Sequence, residues 1–285
     1  MQKIWVCGSR GQIGQAVNDV VDKLEFEMLD TDMDDLDVTD TDEVLRFGEM
    51  NRPDIIINCS GMTDIEACEE NPSMAYKVNA LGARNLAIVA SKMQAKMVQL
   101  STDDVFDGKS TAPYTEFDVT NPVTVYGKSK LAGENYVKEF TSKHFIVRST
   151  WVYGKGSNFI MNFLQRVEEG GEIAVASDQF GSPTSANELA RFLLHLVHTS
   201  EYGTYHATNR GICSRYAFAE EILKMTGKQV TLQPVPTVMD ELSKVRPAYA
   251  VLDNFIMSMV PVYDFPQWQD SLREYLTERG LYHAE

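Results

Sequence analysis

The sequence holds only four cysteines in 285 residues, Cys7, Cys59, Cys68 and Cys213, none in a C-x-x-C pair and none with a matched histidine spacing. That pattern indicates neither a disulfide framework nor a zinc site, and the four are expected as reduced thiols of a cytoplasmic protein. Long apolar runs are missing too. The opening "MQKIWVCGSRG" is too short in apolar residues for a signal segment, and no later run approaches a membrane span, so no membrane association is expected. Positive charge is scarce: 26 Lys and Arg stand against 41 Asp and Glu, a formal net charge of -15. Such a chain would on average repel nucleic acid or an anionic membrane, so neither is expected as a partner. An anionic ligand would have to be met locally, by helix N-termini or by single cations such as Arg10, Lys130, Arg148 or Arg246. There are no repeats or flexible linkers, and the five histidines fall in no motif.

What is present is a rhythm. Short β-rich runs at 3–7, 26–30, 54–60, 97–101 and 144–149 alternate with segments of helical apolar spacing, the signature of βαβ units and a parallel sheet. After "STWVYG" the character changes. Helices are expected over 157–171, 186–199, 214–227 and 270–280, with strand-like stretches at 172–176 and 203–209 between them. The spacing predicts two lobes sharing one body: residues 1–155 as a dinucleotide-binding unit, with later segments returning to it, and 156–285 as mainly a substrate-binding lobe. The acidic run from Asp30 to Glu43 lacks the spacing and the central glycine of a calcium loop, and reads as a solvated loop leading to an acidic helix N-terminus.

Immediately after the first strand, "GSRGQIG" places Gly8, Gly11 and Gly14 ahead of a helix. Glycines there permit a tight turn, close approach of backbone N–H groups to a pyrophosphate, and close packing of helix on sheet. Arg10, Gln12 and Ile13 belong to the same loop. Asp30, at the end of the second strand, is placed to accept from a ribose hydroxyl, which favours NADH; Arg10 could instead pair with the extra phosphate of NADPH. Either dinucleotide remains open. Ser101 and Thr102 end the fourth strand, at the carboxyl edge where open α/β sheets bind ligands. In "NPVTVYGKSKLAGENYVKEF", Tyr126 and Lys130 lie one helical turn apart on a common face.

This ordered set, glycine loop, Ser/Thr after strand four, then Y-x-x-x-K before strand five, resembles the extended branch of the short-chain dehydrogenase/reductase superfamily. The resemblance implies an α/β fold, a Rossmann-like doubly wound parallel sheet with a smaller C-terminal substrate-binding lobe. It also implies a catalytic triad of Thr102, Tyr126 and Lys130, in which the ammonium lowers the phenol from its ordinary pKa of about 10. Lys130 would hold the nicotinamide ribose, and Thr102 would orient the reacting oxygen.

Segments spread almost from end to end, including "RPDIIINCSGMTDIEACEENP", "STDDVFDG", "RSTWVYG", "DQFGSPT" and "RPAYAVLDN", are similar more closely to the dTDP-4-dehydrorhamnose reductase family. That resemblance implies NADH or NADPH as hydride donor, a dTDP-deoxysugar as substrate and a monomer or homodimer. A Mg2+ ion is left open, with no ligand set to indicate one. It places Gly61, Met62 and Thr63 along the cofactor, Asp37 and Val38 near its adenine, and Asp103 and Trp151 at the substrate; Asn79 would hold the architecture. The chain departs from the family at Asp104, usually Tyr, at Met62, usually aromatic or His, and at Glu66, usually Asp. A carboxylate at 104 would repel a diphosphate, so it either turns away or marks a different substrate. Two other readings share the motifs: a nucleotide-sugar epimerase, and a non-catalytic subunit like the regulatory subunit of methionine adenosyltransferase.

Overall fold

The structure of the protein, a computed structural model, describes residues 1–237, 248–260 and 263–283. Its first half runs β1 (Gln2–Cys7), α1 (Gln12–Val20), β2 (Phe26–Thr31), α2 (Thr41–Asn51), β3 (Ile55–Asn58), α3 (Ile65–Glu70), α4 (Pro72–Tyr76), α5 (Ala83–Met93), β4 (Lys96–Thr102), α6 (Val125–Phe140) and β5 (His144–Ser149). The second half continues with β6 (Val152–Tyr153), α7 (Phe159–Glu169), β7 (Glu172–Ala176), β8 (Phe180–Gly181), β9 (Thr184–Ser185), α8 (Ala186–Val197), β10 (Gly203–His206), β11 (Cys213–Ser214), α9 (Arg215–Thr226), β12 (Thr231–Val235), α10 (Phe255–Met259) and α11 (Trp268–Glu278).

Six parallel strands form the central sheet in the order β10-β5-β4-β3-β1-β2. Its inner strands β1, β3, β4 and β5 are largely apolar on both faces, as a sheet covered by helices on either side requires. The strand period of two divides them. Ile4, Val6, Ile55, Ile57, Val98, Phe145 and Val147 face the layer that holds α1 and α8. Trp5, Ile56, Met97 and Ile146 face α2, α5 and α6 on the other side. Each such fully buried side chain contributes roughly 1.5–3 kcal/mol of transfer free energy.

Helix starts follow local chemistry. Asp40 caps α2 by accepting from the Asp42 and Glu43 amides, which gives part of the acidic run a structural task. Thr124 caps α6 through the Gly127 amide, and Asn158 caps α7. Helix α2 stops at Asn51, with Arg52 left-handed just before Pro53.

The second lobe packs α7, α9 and α11 around Tyr153, Phe163, Leu164, Phe218, Ile222, Trp268 and Leu272, beside the parallel pair β7 and β12. The division near residue 155 is only a local one. Helix α8 covers the central sheet, β10 pairs with β5 as its sixth strand, and Met257 and Phe265 belong to the first core. The strand-like run at 203–209 is thus an edge strand of the main sheet, because its Tyr205 and Ala207 fit the core between Phe145 and Phe192. Short strands β6, β8, β9 and β11 carry no periodic signal in the sequence; each is two residues long.

Candidate active site

The carboxyl ends of β1, β3, β4 and β5 open onto a cavity of about 410 Å³, and a second cavity of about 580 Å³ continues from it along the glycine loop towards the end of β2. Gly11, Cys59, Ser60 and Gly61 line both. Gly8 takes φ +74°, and a Cβ there would stand 2.7 Å from the Ser60 amide nitrogen, so the loop after β1 can lie against the loop after β3 only as glycine. Gly14 faces away from the cavities, packed under the Gly8 carbonyl. The N-terminus of α1 has no side-chain cap, and the buried Gln12 Oε1 has no hydrogen-bond partner among the described residues. Free helix amides and an unmatched acceptor on one wall fit the phosphates and sugar hydroxyls of a dinucleotide.

Strand ends place the chemical groups. Asn58, paired with Gln99 across β3 and β4 at 2.8 Å, also accepts from the Ser60 amide and hydroxyl and so sets the start of the Ser60–Gly61 loop. Asn79 lies in a π-helical turn, Lys77–Gly82, between α4 and α5. Its side chain accepts from the Met62 amide at 2.8 Å and donates to the Met62 carbonyl at 3.0 Å and to Ser129 at 2.9 Å. This buried clamp ties the β3 loop to α6 and gives the π-turn a local purpose. Met62 is held by its backbone and lines neither cavity, whereas Gly61 lines both and Thr63 lines the first.

Helix α6 brings Tyr126 and Lys130 to the cavity floor. It can lie this close because position 127 is glycine: a Cβ there would be 2.0 Å from the Asp104 carbonyl oxygen. Thr102 and Tyr126 line the same cavity, and the Thr102 side chain acts to lower the phenol. Burial, followed by the Asp104 carboxylate, pushes the phenol above its ordinary range. The expected lowering by Lys130 is therefore reversed, because desolvation and the neighbouring carboxylates prevail. Burial also brings the Lys130 ammonium down to about 8, with Glu134 acting in the opposite direction.

Glu134, unremarked in the sequence except as a member of a motif, is fully buried on α6. It receives Arg148 at 2.9 and 2.7 Å and the Ser101 hydroxyl at 2.6 Å. Arg148 is thus committed to an internal ion pair and does not meet a ligand as supposed from its charge. Spacing could have found Glu134, four residues after Lys130 on the same face as Tyr126.

At the far end of the cavity stand Asp103, Trp151, Gln179 and Arg215. Asp103 accepts from Thr102 and Thr150, both at 2.9 Å, and its burial raises it above the usual carboxylate range. Trp151 is left-handed at φ +47°, an unusual conformation for a bulky residue. The Arg215 guanidinium lies 3.6 Å from the centre of its ring, and Gly181 approaches so closely that a Cβ there would be 2.6 Å from the ring. This contact accounts for the glycine in "DQFGSPT". Nothing in the sequence singles out Arg215, since it follows a helix cap far along the chain. Asp104 lines the cavity but is almost fully buried, and its carboxylate accepts from Thr124 at the start of α6. Arg246 lies outside the described residues.

At the β2 end, two placements differ from expectation. Asp30 pairs with Val6 one residue short of the strand end, is exposed, and lines neither cavity. The strand extends one residue further than its apolar pattern suggests, so Asp32 takes the position at the cavity wall, beside Asp37 and Val38. Arg10 lines neither cavity; its guanidinium reaches Asp34 at 2.8 Å and Asp35 at 2.9 Å. Among the described residues no cluster of three or more His, Cys, Asp or Glu could hold a metal ion, and no helix is long and apolar enough to cross a membrane.

The family model for the RmlD substrate binding domain matches residues 1–280. The spore coat polysaccharide biosynthesis protein SpsK of Bacillus subtilis is 36% identical over 281 residues, covering 98% of this chain and 99% of that protein. A crystal structure of a dTDP-4-dehydrorhamnose reductase from Clostridium acetobutylicum superposes with a TM-score of 0.95 at 40% identity, over 98% of this chain and 100% of that one. The dTDP-4-dehydrorhamnose reductase of Bacillus anthracis, solved in complex with NADP, gives the same TM-score at 36% identity and the same coverage. The chain belongs to the RmlD substrate binding domain family.

Proposed function

We propose that the protein reduces dTDP-4-dehydro-6-deoxy-L-mannose to dTDP-L-rhamnose with NADH or NADPH, the last step of dTDP-rhamnose biosynthesis. One observation carries the reading: Thr102, Tyr126 and Lys130 line one cavity with Trp151 and Arg215, and that cavity shares Gly11, Cys59, Ser60 and Gly61 with the glycine-loop cavity. A reductase needs such a junction, with cofactor on one side and sugar on the other. Relatives of known structure named as dTDP-4-dehydrorhamnose reductases support the substrate class.

Gly8, Gly11, Gln12, Ile13, Asp32, Asp37, Val38, Gly61 and Thr63 would hold the dinucleotide, with Lys130 at its nicotinamide ribose. The bound dinucleotide supplies the hydride. Tyr126 gives its phenolic proton to the sugar oxygen at C4 as negative charge develops there, and a phenol kept above its ordinary pKa is fully protonated for that task. Thr102 positions the same oxygen. Lys130 keeps a positive charge beside it below about pH 8. Trp151 offers the deoxysugar an apolar wall, and Asp103, held by Thr102 and Thr150, faces the sugar hydroxyls. Asp104 is turned towards the α6 cap, which lessens the repulsion expected against a diphosphate.

The test is oxidation of NADH or NADPH with the 4-keto sugar nucleotide made in situ from dTDP-glucose, before and after inversion at C3 and C5. Turnover only with the inverted sugar is expected; no oxidation with either cofactor overturns the proposal. Stoichiometric dinucleotide retained on purification, with turnover that needs no added NADH, would instead identify an epimerase.

A further inference from the structure

A threonine hydroxyl has one proton to donate and two lone pairs that accept. At Thr102 the protein itself takes up that proton: Oγ1 accepts from the Asp104 amide at 3.2 Å and donates to Asp103 Oδ1 at 2.9 Å. The other oxygen of Asp103, Oδ2, accepts from the Thr150 hydroxyl at 2.9 Å. An ionised Asp103 can only accept, so both threonine protons are drawn to it, and Thr102 has none left for a carbonyl oxygen. Yet Thr102 and Asp103 line the same cavity as Tyr126 and Lys130. A neutral Asp103 reverses the count. Its own O–H then donates to Thr102 Oγ1, Oδ2 still accepts from Thr150, and the Thr102 proton can turn towards the cavity.

Desolvation of the Asp103 carboxyl raises it above the ordinary carboxylate range, against the two threonine hydrogen bonds and the positive charge of Arg215. Arg215 faces it from α9 and Tyr126 from α6; Asp104 follows it in the chain, and Lys130 lines the same cavity. We propose that Asp103 is a positioning residue that acts through Thr102: as a neutral acid it turns the Thr102 hydroxyl onto the reacting C4 oxygen, and as a carboxylate it draws that hydroxyl away. The inference rests on the proposed reduction of a 4-keto sugar in this cavity. The proton that reaches the sugar is still that of Tyr126, and the Asp103 proton stays within the Asp103–Thr102 pair. Thr102 adds a second hydrogen-bond donor to the oxygen on which negative charge develops.

The pH dependence of kcat, measured with the 4-keto sugar nucleotide made in situ, tests it. As Asp103 loses its proton with rising pH, wild-type kcat should fall by roughly 10²–10³, the usual cost of one donor at a developing oxyanion, in a step separate from the Lys130 limb. Asp103→Asn can offer a donor to Thr102 and an acceptor to Thr150 at every pH. The step should vanish there, with kcat near the wild-type acid plateau and the limb near pH 8 kept. Thr102→Val should hold kcat at the level the wild type shows above the step, again without the step, because Asp103 has no hydroxyl left to turn. Difference infrared spectra of wild type against Asp103→Asn give a readout without turnover: the C=O stretch of a protonated carboxyl, lost with the midpoint of the kcat step. A step that persists in Asp103→Asn or Thr102→Val with the thermal melt preserved, or no protonated-carboxyl band where the wild type is active, overturns the proposal. Sugar reduction with the same pH profile in wild type and Asp103→Asn removes this inference alone. A wild type that reduces no keto sugar removes the proposed reaction and this inference together.

Discussion

Tyr126 and Lys130 show how burial decides the roles of two residues one helical turn apart. The phenol is pushed up and the ammonium down, so at neutral pH the pair is a protonated acid beside a cation close to its own titration. In Tyr126→Phe the proton donor is gone, and kcat should fall by roughly 10²–10⁴, the usual worth of general acid catalysis, while the Kd for NADH stays near wild type. A steady-state assay paired with a dinucleotide titration separates the two. The pH profile should lose activity as Lys130 deprotonates near 8. Glu134→Gln removes the charge that holds the ammonium up, so the alkaline limb should move to lower pH; a limb that stays in place would show Glu134 to be structural only. The linked stability effect has the opposite sense. Below about 8 the buried charge is present and costs stability; between 8 and the ordinary lysine value of 10.5 the folded form has shed a proton that the unfolded form keeps, so this contribution rises with pH.

Element positions are set by a few close approaches. Helix α6 rests on the turn after β4 through Gly127, and its partner contact is the Asn79 clamp with Ser129 and Met62. Gly127→Ala would force a methyl to within 2.0 Å of the Asp104 carbonyl, and backbone cannot yield as a side chain can. Overpacking of this kind costs typically about 1–3 kcal/mol, and here it also lifts Tyr126 from Thr102. Chemical denaturation should show the loss of stability, and kcat should drop more than KM rises. The Y-x-x-x-K spacing made the functional face of α6 legible because helical period alone aligns those two residues. The Asn79 clamp was legible only as a family expectation, since a π-turn has no period to read. The acidic run gives every position the same local character, so the apolar pattern points to Asp30, and only the register of β2 against β1 brings Asp32 to the cavity wall.

Across the whole molecule the two cores interlock. Residues 1–155 supply five strands of the sheet but lack α8 and β10, which cover one face and complete one edge. A fragment ending at residue 155 should therefore fail to give a cooperative thermal transition, with amide exchange near the unfolded limit; a stable fragment would show the N-terminal unit to be a domain in its own right. The alternation of strands and helices, the glycine loop, Tyr126 with Lys130, and Thr102 at a strand end were fixed by local sequence, because periodicity, capping and turn chemistry act over a few residues. Which carboxylate lines the cavity at the end of β2, that Arg10 and Arg148 are already paired, that Arg215 stacks on Trp151, and that the phenol is raised and not lowered were decided by the tertiary structure. Electrostatic partners and desolvation come from residues far apart in the chain, and their balance exists only once the fold has brought them together.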